Sequence, residues 1–181
     1  MSLLPFIRPW SGSGYRHIPE RAASPIDRRA LALAGIGEDN RWNAPGEPTL
    51  YLASDPGVAV AEWGRHFGVV VPSALAPSSR KRRLFRLTVE LTGVLDLRQP
   101  EVCAELDLAD DLTWCLDRDL SRSVAAFVRR ATVAVALIVP SVCFLDDRER
   151  GNIVLFLDRL PSEPSSYVRA VEPAGFLTAE P

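Results

Sequence analysis

The sequence predicts one α+β domain. Three observations carry that reading. Residues 84–91 alternate apolar and polar side chains at the period of a half-buried strand. Residues 133–139 and 153–157 are continuously apolar and rich in β-branched types, as strands covered on both faces are. Stretches with helical spacing or helix-start signals lie between these runs.

Taken along the chain, short strands are expected at 15–18, 49–53 and 167–171, with a helix at 27–34. A second helix is expected at 56–67, entered through Ser54 as N-cap with Pro56 in its first turn. In the strand at 84–91, Phe85, Leu87, Val89 and Leu91 alternate with Arg86, Thr88 and Glu90, so one face meets the core. A longer helix is expected between 112 and 130. There Leu120, Val124, Phe127, Val128 and Ala131 form an apolar stripe, and Arg118, Arg122, Arg129 and Arg130 face water. Segments 71–79 and 161–166 read as loops. The basic run Arg80, Lys81, Arg82 and Arg83 reads as a solvated loop, with a phosphate-attracting patch as the alternative.

A chain of 181 residues with 47% hydrophobic and 24% charged content supports one core without disulfides or a structural metal. Cys103, Cys115 and Cys143 are widely spaced and suggest neither a disulfide framework nor a zinc site, which fits a reducing, cytoplasmic compartment. The opening MSLLPFIRPW lacks the features of a signal peptide, and no stretch has the length a membrane span needs. A net charge of -2 and a pI near 5.7 argue against direct nucleic-acid binding. Copies of the chain associating as a homo-oligomer stays an open state.

Several familiar sites are excluded by residues that are missing. There is no G-x-x-x-x-G-K-[ST] and no G-x-G-x-x-G between a strand and a helix, and the GSG at Gly12–Gly14 is weak. His17 and His66 are the only histidines, and H-E-x-x-H and G-x-S-x-G are absent, so no metal site is expected.

An ordered set of polar residues remains at the edges of apolar segments: Tyr15-Arg16, then NRWNAPGEPTLYLAS, AVAEW, IVPS and GNIVLF. This order resembles the RES-domain family, named for an arginine, a glutamate and a serine. The matching positions are Arg41 in RWN, Glu62 in AVAEW and Ser141 in VPS. The resemblance treats 1–181 as a single RES domain with its motifs at about 15–157. It implies mixed sheets with surrounding helices, similar to ADP-ribosyltransferases. It also implies NAD as substrate with no resident cofactor, and the role of a toxin held by an Xre-like antitoxin partner. The first residues and the tail after Val168 match no motif of the family.

The residue chemistry is compatible with this. NAD presents a pyrophosphate and a ribose that becomes oxocarbenium-like as nicotinamide departs, so a site needs cations and a carboxylate. Arg41 supplies a planar fork for phosphate oxygens, and Arg16 is a second candidate for the same contact. Glu62, among Val58, Ala59, Ala61 and Trp63, suits stabilisation of developing positive charge; a surface pair with Arg65 or His66 is the plainer reading. Tyr51 could stack on nicotinamide or simply pack in the core. Ser141 could hydrogen-bond substrate or be a turn serine, with no visible histidine to make it a nucleophile. Asn152 has the same standing against loop capping. Trp42, Asn43 and Gly46 shape the turn after Arg41, with Gly46 free to adopt a conformation closed to other residues.

Three functions follow as expectations. The first is cleavage of the nicotinamide-ribosyl bond with water or phosphate as acceptor. The second is transfer of ADP-ribose to a protein side chain. The third is a catalytically silent protein that binds a nucleotide or a partner.

Overall fold

Strand β1 (Arg8–Pro19) is followed by β2 (Thr49–Ala53), helix α1 (Pro56–Val70), the long β3 (Lys81–Asp96) and the single-turn helix α2 (Pro100–Glu105). Helix α3 (Arg118–Ala131), β4 (Ala136–Pro140), β5 (Gly151–Phe156) and β6 (Val168–Thr178) complete the order. The computed structural model describes residues 2–27, 31–32, 34–36, 40–70 and 81–178. The loop expected at 71–79 lies outside the described residues. So does most of the helix expected at 27–34, of which Leu31 and Ala32 are described as helical.

The strands form one mixed sheet in the order β1-β2-β5-β4-β3-β6. Strand β1 also pairs antiparallel with β3 from Arg8↔Val94 to Pro19↔Arg82, which closes β1-β2-β5-β4-β3 on itself and leaves β6 outside that ring, beside β3. The β3–β4 pairing is parallel and the others are antiparallel. Strands with helices on the curled sheet make the α+β class that the periodicities predict.

The alternation at 84–91 holds on the lower part of β3, where Leu87, Val89 and Leu91 are buried and Arg86 and Glu90 exposed. Leu84 and Phe85 are both buried because the sheet is covered on two sides there: Leu84 packs with Trp63 and Val58 of α1, Phe85 with Ile18 and Leu50. Burying such side chains stabilises the fold by about 1.5–3 kcal/mol each. Glycine is required in β1, since a Cβ at Gly14 would lie 2.7 Å from the Leu52 Cβ.

The structure corrects several local readings. Residues 81–83 of the basic run are strand, not loop; Lys81 pairs with Glu20 at 2.8 Å. The N-cap of α1 is Asp55 rather than Ser54: its carboxylate accepts from the Val58 amide at 3.0 Å, and Ser54 Oγ instead accepts from the Gly151 amide at 3.0 Å. The helix expected at 112–130 is broken, because Asp117 ends a 3-10 turn (Leu112–Leu116) and caps α3, accepting from Asp119 N and Leu120 N.

The buried stripe of α3 is rotated from the expected one. It is Ser121, Val124, Ala125, Val128 and Arg129, while Leu120 and Phe127 are 36% and 44% exposed. Arg129 does not face water. It stacks 4.3 Å from the centre of the Phe156 ring, pairs with Glu47 at 3.1 Å and Asp158 at 3.5 Å, and donates to Thr49 Oγ1 at 2.9 Å. Its charge is compensated across the ends of β2 and β5, which makes burial tolerable.

Candidate active site

A cavity of about 610 Å³ opens where β1 and β2 part. The two strands meet at Tyr15↔Ala53, and beyond that pair the cavity is lined by Arg16 and His17 on one strand and Thr49, Leu50 and Tyr51 on the other. Helix α1 supplies Ala59, Glu62 and Arg65, and β5 supplies Asn152. Period 2 places Tyr51, Ala53 and Asn152 on the same face of the sheet, through the pairs Tyr51↔Val154 and Ala53↔Asn152.

Glu62 is fixed from behind. Its Oε1 accepts from Ser141 Oγ at 2.6 Å and from Asn152 Nδ2 at 3.1 Å, and among the described residues Oε2 makes no hydrogen bond. Ser141 follows the last residue of β4 and is fully buried. Its hydroxyl also accepts from the Cys143 amide at 3.2 Å, so it faces the carboxylate rather than the cavity. The same region pushes the Cys143 thiol up by burial, with Glu62 nearby adding to the shift.

Arg41 stands on the turn after Asn40. Its Nη1 donates to the carbonyls of Cys115 at 2.6 Å and Leu116 at 3.0 Å, the last turn of the 3-10 segment. Burial lowers its pKa, an effect opposed by Cys115 and Glu62 and reinforced by Arg118 and Arg65. A guanidinium remains protonated at neutral pH regardless.

Tyr51 holds that turn together. Its hydroxyl donates to Asn43 Oδ1 at 2.6 Å and accepts from the Trp42 amide at 3.2 Å, and burial pushes its pKa well above the ordinary phenol range. Asn43 in turn donates to the carbonyls of Gly35 and Ala44. Gly46 has φ +85°, the left-handed conformation expected of it.

Arg16 lines the opposite wall. Its Nη1 donates to Pro25 O at 2.6 Å, and burial, followed by the charge of Arg82, brings its pKa down to about 10. The cavity therefore gathers Arg16, Arg41, Glu62, Tyr51 and Asn152, with Ser141 one layer behind. It also gathers residues that the motifs do not mark: His17, Arg65, Arg82 and Arg118. Arg65 was legible as the residue three positions after Glu62 on one helix face, and Arg82 as part of the basic run. Five arginines and a single carboxylate, Glu62, line the cavity among the described residues.

Comparison with known proteins supports a shared fold. The crystal structure of the M. tuberculosis MbcT–MbcA toxin–antitoxin complex contains a chain that superimposes with a TM-score of 0.62 at 18% identity, covering 93% of this chain and 87% of that one. Among curated protein sequences none matches significantly. The RES domain family model matches residues 13–174, a span that runs from within β1 through most of β6 and contains every cavity residue named above. The chain belongs to the RES domain family.

Proposed function

We propose that this chain is an NAD-consuming toxin that cleaves the nicotinamide-ribosyl bond. The observation that carries the proposal is the Glu62 carboxylate, aimed by Ser141 and Asn152 into a cavity whose other charged lining groups are guanidinium groups. In this reading Arg41 and Arg16 hold the pyrophosphate, and Tyr51 keeps the Arg41 turn in place beside the nicotinamide end. Glu62 Oε2 accepts from a ribose hydroxyl. As the bond from C1′ to the nicotinamide nitrogen breaks, the electron pair leaves with neutral nicotinamide. The carboxylate stabilises the positive charge left on the ribose. Water or phosphate then bonds to C1′. Ser141 acts here as a positioning residue.

In this reading NAD is consumed as the substrate rather than held as a resident cofactor. No helix of the described residues is long and apolar enough to cross a membrane; the place of action proposed is the cytoplasm, where free NAD is found. An Xre-like antitoxin that covers the cavity is the partner proposed.

The test is release of free nicotinamide from NAD by the purified protein, with chelator present. Glu62→Gln should lower kcat on the order of 100-fold or more, and Arg41→Ala should raise KM as well. Near-normal turnover by Glu62→Gln would remove that residue from the site. Product analysis with and without phosphate identifies the small acceptor. Label from NAD appearing on protein in a cell extract would identify ADP-ribosyl transfer instead.

A further inference from the structure

Glu62 is carried by α1, so the direction of its second oxygen depends on the axis of that helix as well as on the two bonds to Oε1. Ser141 and Asn152 tie α1 at one point. The packing of Val58, Ala59 and Trp63 beside it is not directional. A helix tied at one point can still pivot. A second tie lies two turns back, at Asp55, the N-cap of α1. At 3.6 residues per turn, a separation of seven brings Asp55 and Glu62 to the same side of the helix.

The second tie is made by Arg150. Its Nε donates to Asp55 Oδ2 at 3.3 Å and its Nη2 to Oδ1 at 3.1 Å, while its guanidinium lies 3.6 Å from the centre of the Phe144 ring. It crosses the first turn of α1 so closely that a Cβ at Gly57 would overlap Nη2. Asp55 keeps its cap at the same time, since Oδ1 also accepts from the Val58 amide at 3.0 Å. Ion pairs near the surface contribute little as a rule, the exceptions being forked contacts of this kind. Both partners are only about one third exposed.

The backbone of Arg150 reaches the rest of the carboxylate unit. Its carbonyl accepts from the Ser141 amide at 3.1 Å. Asn152, two positions further and therefore on the same face of the strand, donates to Glu62. Gly151 between them is bonded to Ser54 in both directions, its amide to Oγ at 3.0 Å and its carbonyl from the Ser54 amide at 2.8 Å. Arg150 thus stands where the ends of β2 and β4 meet the start of β5, and its side chain carries that junction across to α1. Neither Arg150 nor Asp55 is among the described residues that line the cavity.

We propose that Arg150 is a positioning residue for Glu62: through its fork on Asp55 it fixes the axis of α1, and with it the direction in which Oε2 is presented. The proposal rests on the NAD-cleaving reading for what the carboxylate does, but not for where it stands.

The experiment joins kinetics to a measurement that needs no substrate. Arg150→Met removes the fork and keeps an unbranched chain over Phe144, and Asp55→Asn keeps a capping side chain but not the charge. Arg169→Gln, which loses an exposed pair with Glu90 outside the cavity lining, is the control. In Arg150→Met and in Asp55→Asn, kcat for nicotinamide release should fall about tenfold, with KM for NAD changed less than about twofold. Arg150→Lys should recover part of the loss, the combination of Arg150→Met with Asp55→Asn should lose little more than either alone, and Arg169→Gln should change neither constant. In isotope-labelled protein the side-chain amide signals of Asn152, identified by their disappearance in Asn152→Asp, should shift in Arg150→Met and stay in place in Arg169→Gln; the remaining backbone signals verify that each variant is folded. If the wild type releases no nicotinamide, the NAD reading falls and the Asn152 signals alone decide the proposal, a shift upholding it. Unmoved Asn152 signals in folded Arg150→Met overturn it whatever the kinetics. A rise in KM with unchanged kcat, or an equal loss of turnover in Arg169→Gln, overturns it as well.

Discussion

Ser141 Oγ lies 2.6 Å from Glu62 Oε1, a contact between residues that share no element and are 79 positions apart in the chain. It ties the end of β4 to the inner face of α1, and the same oxygen is tied to β5 through Asn152 at 3.1 Å. Two of the residues singled out by the sequence motifs, Ser141 and Glu62, therefore form one unit, in which a buried hydroxyl orients a carboxylate. Because Oε1 is taken twice, the second oxygen is the one presented to the cavity.

Ser141→Ala should accordingly lower kcat by about 10- to 100-fold, the effect of a misplaced catalytic group, while KM for NAD changes little. Asn152→Ala should act in the same direction. The double variant should lose less than the product of the two, since both act through one oxygen. Steady-state kinetics on the three proteins checks this, and a rise in KM with unchanged kcat would place Ser141 in contact with substrate instead.

Tyr51 acts through the turn that carries Arg41. Tyr51→Phe removes one hydroxyl and leaves the Trp42 amide and Asn43 Oδ1 without a partner, a loss of roughly 1–3 kcal/mol. The midpoint of thermal unfolding should fall by several degrees and KM for NAD should rise. The pH dependence has a fixed sign. Burial raises the folded pKa of this phenol above its ordinary 10.0, so its contribution is complete below 10.0 and is lost as pH rises beyond that value. Unfolding scans of wild type and Tyr51→Phe should therefore converge in alkaline solution and differ most near neutrality.

Arg129 separates stability from activity. Among the described residues it is a buried cation held by Glu47, Asp158 and Thr49, and it does not line the cavity. Arg129→Met removes the buried partner of Glu47, which keeps Arg130 at 3.8 Å and the Ala44 amide at 2.8 Å, and of the exposed Asp158, and it leaves Thr49 Oγ1 without that donor, which should cost about 1–3 kcal/mol. Turnover measured below the unfolding transition should stay near that of the wild type. A large loss of turnover in a protein that is still folded would show that the α3 contact to β2 shapes the cavity.

These residues also show how far the sequence could be read. Period 2 in β3 and the apolar runs of β4 and β5 were legible because the pattern reports burial face by face. The β1–β3 pairing that closes the sheet was not, since pairings across many tens of positions, from Pro19↔Arg82 to Arg8↔Val94, leave no local periodicity. Arg129 was misread because a helical wheel sees a charge and not the two acids that will meet it. Glu62, Arg41 and Ser141 were found as motif residues, but only the fold shows that Ser141 stands behind the carboxylate. Arg82 was missed as a cavity residue because its neighbours in sequence have the composition of a loop.

The last prediction concerns the cell. A protein that cleaves NAD where NAD is made and used would harm its own host, so induced expression of the wild type alone should arrest growth and lower cellular NAD. Glu62→Gln, which keeps the fold, should do neither. Restraint then has to come from a partner, and the cavity sets its chemistry. An opening lined by Arg16, Arg41, Arg65, Arg82 and Arg118 attracts a segment rich in carboxylates that enters where the phosphates of the substrate would lie. Co-expression of such an antitoxin should restore growth and NAD together. Replacing the exposed Arg65 by Glu should weaken its hold, with a salt-sensitive loss of affinity measured on the purified pair. Harmless expression of the wild type with unchanged NAD would overturn the toxin reading. Arrest by Glu62→Gln as well as by the wild type would show that the harm does not come from loss of NAD.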